Sequence, residues 1–212
     1  MNFTPQFFEL GNLDVTIGKS DLRAQGKIDN ILPFVFHNDT LAGQLSLTSN
    51  YFDLNELMTE DSTVVEQEAV ATTDTMTSEA SIIEIPGNIE FVLSSSFKKI
   101  DYDNMPIDDF VGKLLVKDSK VFFEEASLKV LGGEIQLDGV YDAQNPLVPK
   151  TAMNLSIKNM DIPTAFKTFN TVEKMAPIAK NAKGQFNTSL TYSSTLTPEM
   201  TPDFNTMAGN GD

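Results

Sequence analysis

One strand pattern occurs twice in this chain, and the duplication constrains the fold more than any other feature. LSLTSNYFDLNEL begins at Leu45 and MNLSIKNMDIPTAF at Met153. Setting Asp53 on Asp161 places the copies 161 − 53 = 108 positions apart, with Leu45 on Met153 and Leu47 on Leu155. A second match lies upstream: SDLRAQGKIDN from Ser20 pairs with GEIQLDGVYDA from Gly133, Leu22 with Ile135 and Gly26 with Gly139. Its offset is 139 − 26 = 113, so an indel of about five residues separates the two matches. A chain that repeats β units buries its core by setting neighbours side by side. Such a chain suits a surface or a conduit better than a pocket enzyme.

Alternation marks the strands, because successive side chains point to opposite faces. Leu13, Val15 and Ile17 share a face, as do Leu41, Leu45 and Leu47 with Gly43 in step. The same holds for Ile89, Phe91 and Leu93; for Ile135, Leu137 and Tyr141 with Gly139; for Met153, Leu155 and Ile157; and for Phe186, Leu190 and Tyr192. Each of these strands reads as polar on its other face, which favours antiparallel strands packed on one side. Turn residues at Asn38-Asp39, Lys117-Asp118-Ser119, Leu131-Gly132-Gly133 and Asp142 to Pro146 point to hairpins. The expected fold is mainly β with a minor α element: a twisted, curved antiparallel sheet of two related units, with one amphipathic helix packed at an end.

Residues 1–57 form the first unit and 87–212 the second. Between them, 58–86 is rich in Glu, Thr, Ser and Ala, and lacks Lys and Arg; it reads as an acidic flexible linker, removable from Thr63 to Ser78, whose IIEIP end joins the next strand. The helix is expected over about 161–183. Asp161 caps it, Pro163 sits in its first turn, Ile162, Phe166, Phe169, Val172, Met175 and Ala179 recur at helical spacing, and Gly184 ends it. Its first-copy counterpart runs from Asp53 to Leu57.

Charge excludes whole classes of partner. Thirty Asp and Glu against fifteen Lys and Arg leave −15, and no Lys or Arg occurs between Lys27 and Lys98. So acidic a surface repels nucleic-acid backbones and anionic headgroups, so no nucleic-acid partner is expected. Cysteine is absent, which removes disulfides, thiolate catalysis and Cys-ligated metals. No apolar run approaches the roughly 20 residues that span a bilayer, and no signal peptide precedes Phe3.

Catalytic chemistry finds little footing. His37 is the single histidine, so neither a metal centre nor a histidine triad has a second member. DYDNMPIDD from Asp101 to Asp109 offers oxygen ligands for calcium, yet Pro106 and Gly112 stand where an EF-hand loop needs Gly and Glu. A solvated turn is the simpler reading. Gly132-Gly133 lacks the sequence of a phosphate loop, and carboxylate pairs such as Glu124-Glu125 and Asp108-Asp109 come without the tryptophans that sugar sites favour. No enzyme activity, metal or cofactor is expected.

The run VGKLLVKDSKVFFEEASLKVLGGEIQLDGVYD from Val111, followed by PLVPKTAMNLSIKNMDIPTAF, resembles the carboxy-terminal repeat of the AsmA-like proteins of Gram-negative bacteria. The shared elements are Gly132, Gly133, Asp138, Gly139, Asp161 and Ile162, in a pattern of apolar positions and glycines that covers most of 87–211 and, more loosely, 10–57. The resemblance implies a periplasmic segment of a protein anchored in the inner membrane by a helix outside this segment. It implies a bridge-like lipid carrier, in which an apolar trough shelters phospholipid acyl chains for outer-membrane biogenesis. The trough candidates are Phe91, Leu93, Ile135, Leu137, Leu155 and Ile157. The alternative is a structural or protein-binding β scaffold of the cell envelope, without lipid, whose partners are envelope proteins.

Overall fold

A computed structural model describes residues 2–4, 6–56, 82–103, 105–168 and 182–212. Within them one open, curved sheet carries the fold. In chain order its strands are β1 (Asn2–Phe3), β2 (Phe7–Ile17), β3 (Ser20–Asp29), β4 (Leu41–Ser49), β5 (Phe52–Asp53), β6 (Ile89–Tyr102), β7 (Met105–Lys117), β8 (Lys120–Val130), β9 (Gly133–Asp142), β10 (Lys150–Asp161), β11 (Gln185–Thr195) and β12 (Ala208–Gly211). Helices α1 (Ile31–His37) and α2 (Ile162–Thr168) interrupt the series, and residues 54–56 are helical as well. The path across the sheet follows sequence order, with β5 beside β6 off that path.

The duplication is visible in the hydrogen-bond register. Gly26 lies opposite Leu45 in the first copy and Gly139 opposite Met153 in the second. A β-bulge divides Leu10 from Leu13 against β3, and an equivalent bulge divides Phe123 from Ala126 against β9, again 113 positions on. Thus β2, β3 and β4 correspond to β8, β9 and β10. The indel falls where β3 turns into β4: that connection holds α1, whereas β9 and β10 are joined by the shorter loop 143–149. Both glycines are there for clearance, since a Cβ on Gly139 would meet Met153 Sδ at 2.1 Å and Ala152 O at 2.7 Å, and one on Gly26 would meet Gln44 O at 2.3 Å. The larger side chain opposite lies across the gap.

Four expectations need correction. The pairing is antiparallel except where β4 and β5 meet β6 in parallel, a join that requires a long crossover and receives it from the connection between β5 and β6. The IIEIP stretch is not strand: residues 82–86 run across the end of the sheet, where the Tyr141 hydroxyl donates to Ile83 O at 2.6 Å. The helix is described only over Ile162–Thr168; residues 169–181, with Phe169, Val172, Met175, Pro177 and Ala179, lie outside the described residues, and Ala182 and Lys183 are not helical. Of its counterpart, 54–56 are helical, while Leu57 and the Thr63 to Ser78 stretch again lie outside. Finally, the polar face is not polar throughout. Val92, Leu115, Phe122, Val140 and Ala152 are direct cross-strand neighbours on it, forming a partly buried apolar stripe over β6 to β10.

One small cluster of buried side chains lies at the α2 end, while Tyr141, Ala143 and Pro149 are buried at the other. Val130, Met160 and Ala165 are 4%, 1% and 1% exposed, with Ile107, Leu128, Ile135, Ile157 and Phe186 packed around them. Helix α2 places Ala165 there. As expected, Asp161 caps it: the carboxylate accepts the Thr164 N–H at 2.9 Å and the Thr164 hydroxyl, which hold its pKa below the ordinary carboxylate value. In the first copy a different carboxylate secures the corresponding corner. Asp21 accepts the N–H groups of Tyr51 and Asn50 at 2.8 and 3.0 Å, and these bonds lower its pKa.

Candidate functional site: an apolar face with a cavity at one end

Directly paired residues share a face, so the register traces one apolar rung across ten strands. It passes through Leu10, Gly26, Leu45, Leu93, Leu114, Phe123, Gly139, Met153, Tyr192 and Gly209. A neighbouring rung holds Ala126, Leu137, Leu155 and Leu190. Most of these side chains are partly exposed, and Leu190 is 39% exposed. Among the described residues no second sheet lies on this face.

All six trough candidates stand on this face. Phe91 lies over Gly43, whose added Cβ would meet the Phe91 ring at 2.9 Å, and Leu93 stands between Leu45 and Leu114. Leu137 faces Leu155 directly, and Ile135 faces Ile157. The last pair differs from the others, because Ile135 and Ile157 pack against the Val130, Met160 and Ala165 core beside α2. The open part of the face therefore holds Phe91, Leu93, Leu137 and Leu155.

At the opposite end from α2 the face deepens into a cavity of about 330 Å3. Val121, Phe123, Tyr141, Thr151, Met153 and Tyr192 form its floor, while Ile83 and Ile85 on one side and Leu196, Met200 and Pro202 on the other form its walls. Sequence reasoning missed this cavity, because its walls come from two irregular segments. Burial raises the Tyr141 pKa. Next to one another on β10 and β11, Thr151 and Ser194 are 5% and 6% exposed, and neither hydroxyl has a protein partner. A buried hydroxyl without a partner costs roughly 1–3 kcal/mol; Thr151 lines the cavity and Ser194 lies beside it, outside the lining.

The other face is held by ion pairs. Lys113 meets Glu124 at 2.7 Å, Lys117 meets Glu90 at 3.0 Å and Lys120 meets Asp142 at 2.8 Å. Hydrogen bonds to the Glu124 and Glu90 carboxylates raise the pKa values of Lys113 and Lys117, and the hydrogen bond that Asp142 accepts from Lys120 lowers that of Asp142. Shallow hollows of about 530 and 420 Å3 on this side are lined by polar residues such as Asp14, Arg23, Thr48, Gln25 and Gln44.

The remaining chemical candidates do not converge. Asp109 is turned to Lys129 at 2.7 Å, and Asp101 accepts the Tyr51 hydroxyl at 2.7 Å, which pushes the Tyr51 pKa up to about 12. Asn104 lies outside the described residues. His37 is exposed at the end of α1, and Glu125 occupies the β8 bulge at φ 53, its N–H bonded to Asp138. Leu131 and Gly132 form the β8–β9 turn, and Gly133 opens β9 opposite Val130. Among the described residues, no helix is long and apolar enough to cross a membrane. Family models, curated proteins and solved structures were all compared with this chain, and none matches it.

Proposed function

We propose that the apolar face shelters lipid acyl chains, and that the chain is a non-enzymatic, periplasmic segment of an AsmA-like envelope protein serving phospholipid transport in outer-membrane biogenesis. The observation that carries this reading is an apolar rung continuous over ten strands, with no second sheet on it among the described residues. Burying a methylene is worth about 0.8 kcal/mol, so partly exposed Leu, Phe and Met side chains suffice to hold an acyl chain without specific contacts. The acidic surface accounts for selection by the chain rather than by an anionic headgroup.

Native mass spectrometry of the gently purified protein, followed by organic extraction, tests this. Bound phospholipid that disappears in Leu155→Asp, with circular dichroism unchanged, supports the reading. A lipid-free mass after incubation with phospholipid refutes it for this segment and favours the scaffold alternative.

A further inference from the structure

We infer that the loop-bearing end of the sheet, opposite α2, docks onto the surface of an uncharged, zwitterionic lipid bilayer. Register fixes which loops share that end: 30–40, 82–88, 143–149 and 196–207 all adjoin strand ends paired with one another. They are also tied together, Leu41 N–H bonding to Asn88 O and Leu196 N–H to Pro149 O. Among the described residues, the four most exposed large apolar side chains are all here: Leu147 at 85%, Phe204 at 81%, Phe36 at 71% and Val35 at 64%. Ile83 and Val148 add 57% and 44%. Helix α1 has no fully buried residue, and Leu32, Val35 and Phe36 on it are exposed.

The distribution favours a bilayer over a protein. The loops alternate with strands spaced ~4.8 Å apart, so α1 and Phe204 stand about 34 Å from one another along the sheet, seven strand spacings. A protein interface wants one contiguous patch of roughly 800 Å2 per partner, whereas a row of separated apolar tips suits shallow insertion to ~5–10 Å. Charge selects the lipid. The same loops carry Asp39, Glu84, Glu199 and Asp203; of the lysines at the strand ends, Lys117 and Lys120 are engaged by Glu90 and Asp142, and Lys150 stands in the field of Asp142. Anionic headgroups are therefore repelled. Ile83 belongs both to this rim and to the cavity wall, so a lipid leaving the bilayer here would meet the apolar face at once.

The inference goes beyond the lipid-shelter reading and stands without it. The chain has no tryptophan, so single reporters are unambiguous. Phe36→Trp and Phe204→Trp are expected to shift to shorter emission wavelength with phosphatidylcholine vesicles, while Tyr102→Trp, in the hairpin at the far end, stays unchanged. Replacing a third of the lipid with phosphatidylglycerol at low salt weakens binding at least threefold. In Val35→Ser/Leu147→Ser, vesicle flotation falls about tenfold with circular dichroism and co-purified lipid unchanged, which separates failure of docking from failure of lipid retention. Any of three results overturns the inference: no shift at positions 36 and 204, an equal shift at 102, or a shift that appears without vesicles and grows with protein concentration, which would assign the rim to a second copy of the chain.

Discussion

Truncating Leu155 and Met160, two apolar residues of the same strand, distinguishes an open apolar face from a covered one. Met160 is 1% exposed in the core beside α2, so Met160→Ala loses the full transfer free energy and leaves a cavity, at a cost of about 2–5 kcal/mol. Leu155 is only partly buried, on the stretch of face that no second sheet covers. Complete burial of a leucine is worth about 1.5–3 kcal/mol; a fraction of that, with no enclosed cavity to add, puts Leu155→Ala near ~1 kcal/mol. Urea unfolding of lipid-free protein, followed by far-ultraviolet circular dichroism, measures both from the shift in midpoint at constant slope. Equal losses in the two variants would refute the open face, because Leu155 would then have to be sealed as Met160 is.

Other consequences are direct. Gly139→Ala must push Met153 and the β10 backbone aside, and should cost about 1–3 kcal/mol in the same unfolding assay, with Gly26→Ala behaving alike if the copies are equivalent. Asp161→Ala removes the α2 cap and should lower the thermal midpoint by roughly 2–4 °C. The carboxyls of Asp21, Asp142 and Asp161 have lowered pKa values, so their contribution is complete above about pH 4, the unfolded value, and is lost as pH falls through the folded ones; acid titration of stability should therefore steepen below pH 4, less so in Asp21→Asn. Tyr51 shifts the other way: it should ionise near pH 12, its contribution intact below about pH 10 and lost above 12, and ultraviolet titration of Tyr51→Phe should lack that last step.

Alternation made the apolar face legible. Leu45, Phe91, Leu137 and Met153 share it because a period of two leaves no other choice once the register is set. The duplication was legible too, down to the indel that became α1. What escaped were features that a period of two does not encode. Strand direction is one, since Leu45 alternates identically whether Leu93 lies beside it in parallel or antiparallel fashion. The run ILPFVFH of α1 is another, too short to separate helix from strand by pattern. The stripe of Leu115, Phe122 and Val140 was in view as consecutive apolar residues in KLLVK, KVFF and GVY, where both faces are apolar at once. The cavity was not, because Ile83 and Met200 reach it from segments without regular structure.

The parallel join of β4 to β6 settles a question of parity. Two strands, β6 and β7, stand between the copies. Were every neighbour antiparallel, β8 would run opposite to β2, and the second copy would be mounted upside down with its α2 corner at the wrong end. One parallel step restores the count, so that β2 and β8 point the same way and both copies turn their Asp53 and Asp161 corners to one end of the sheet. The connection between β5 and β6 therefore sets orientation by its length alone. Its 35 residues, 54–88, must return the chain along about 12 residues of β6, or ~40 Å. Nineteen residues, as left by removing 63–78, reach ~60 Å and preserve the topology, whereas fewer than about a dozen could not make the return.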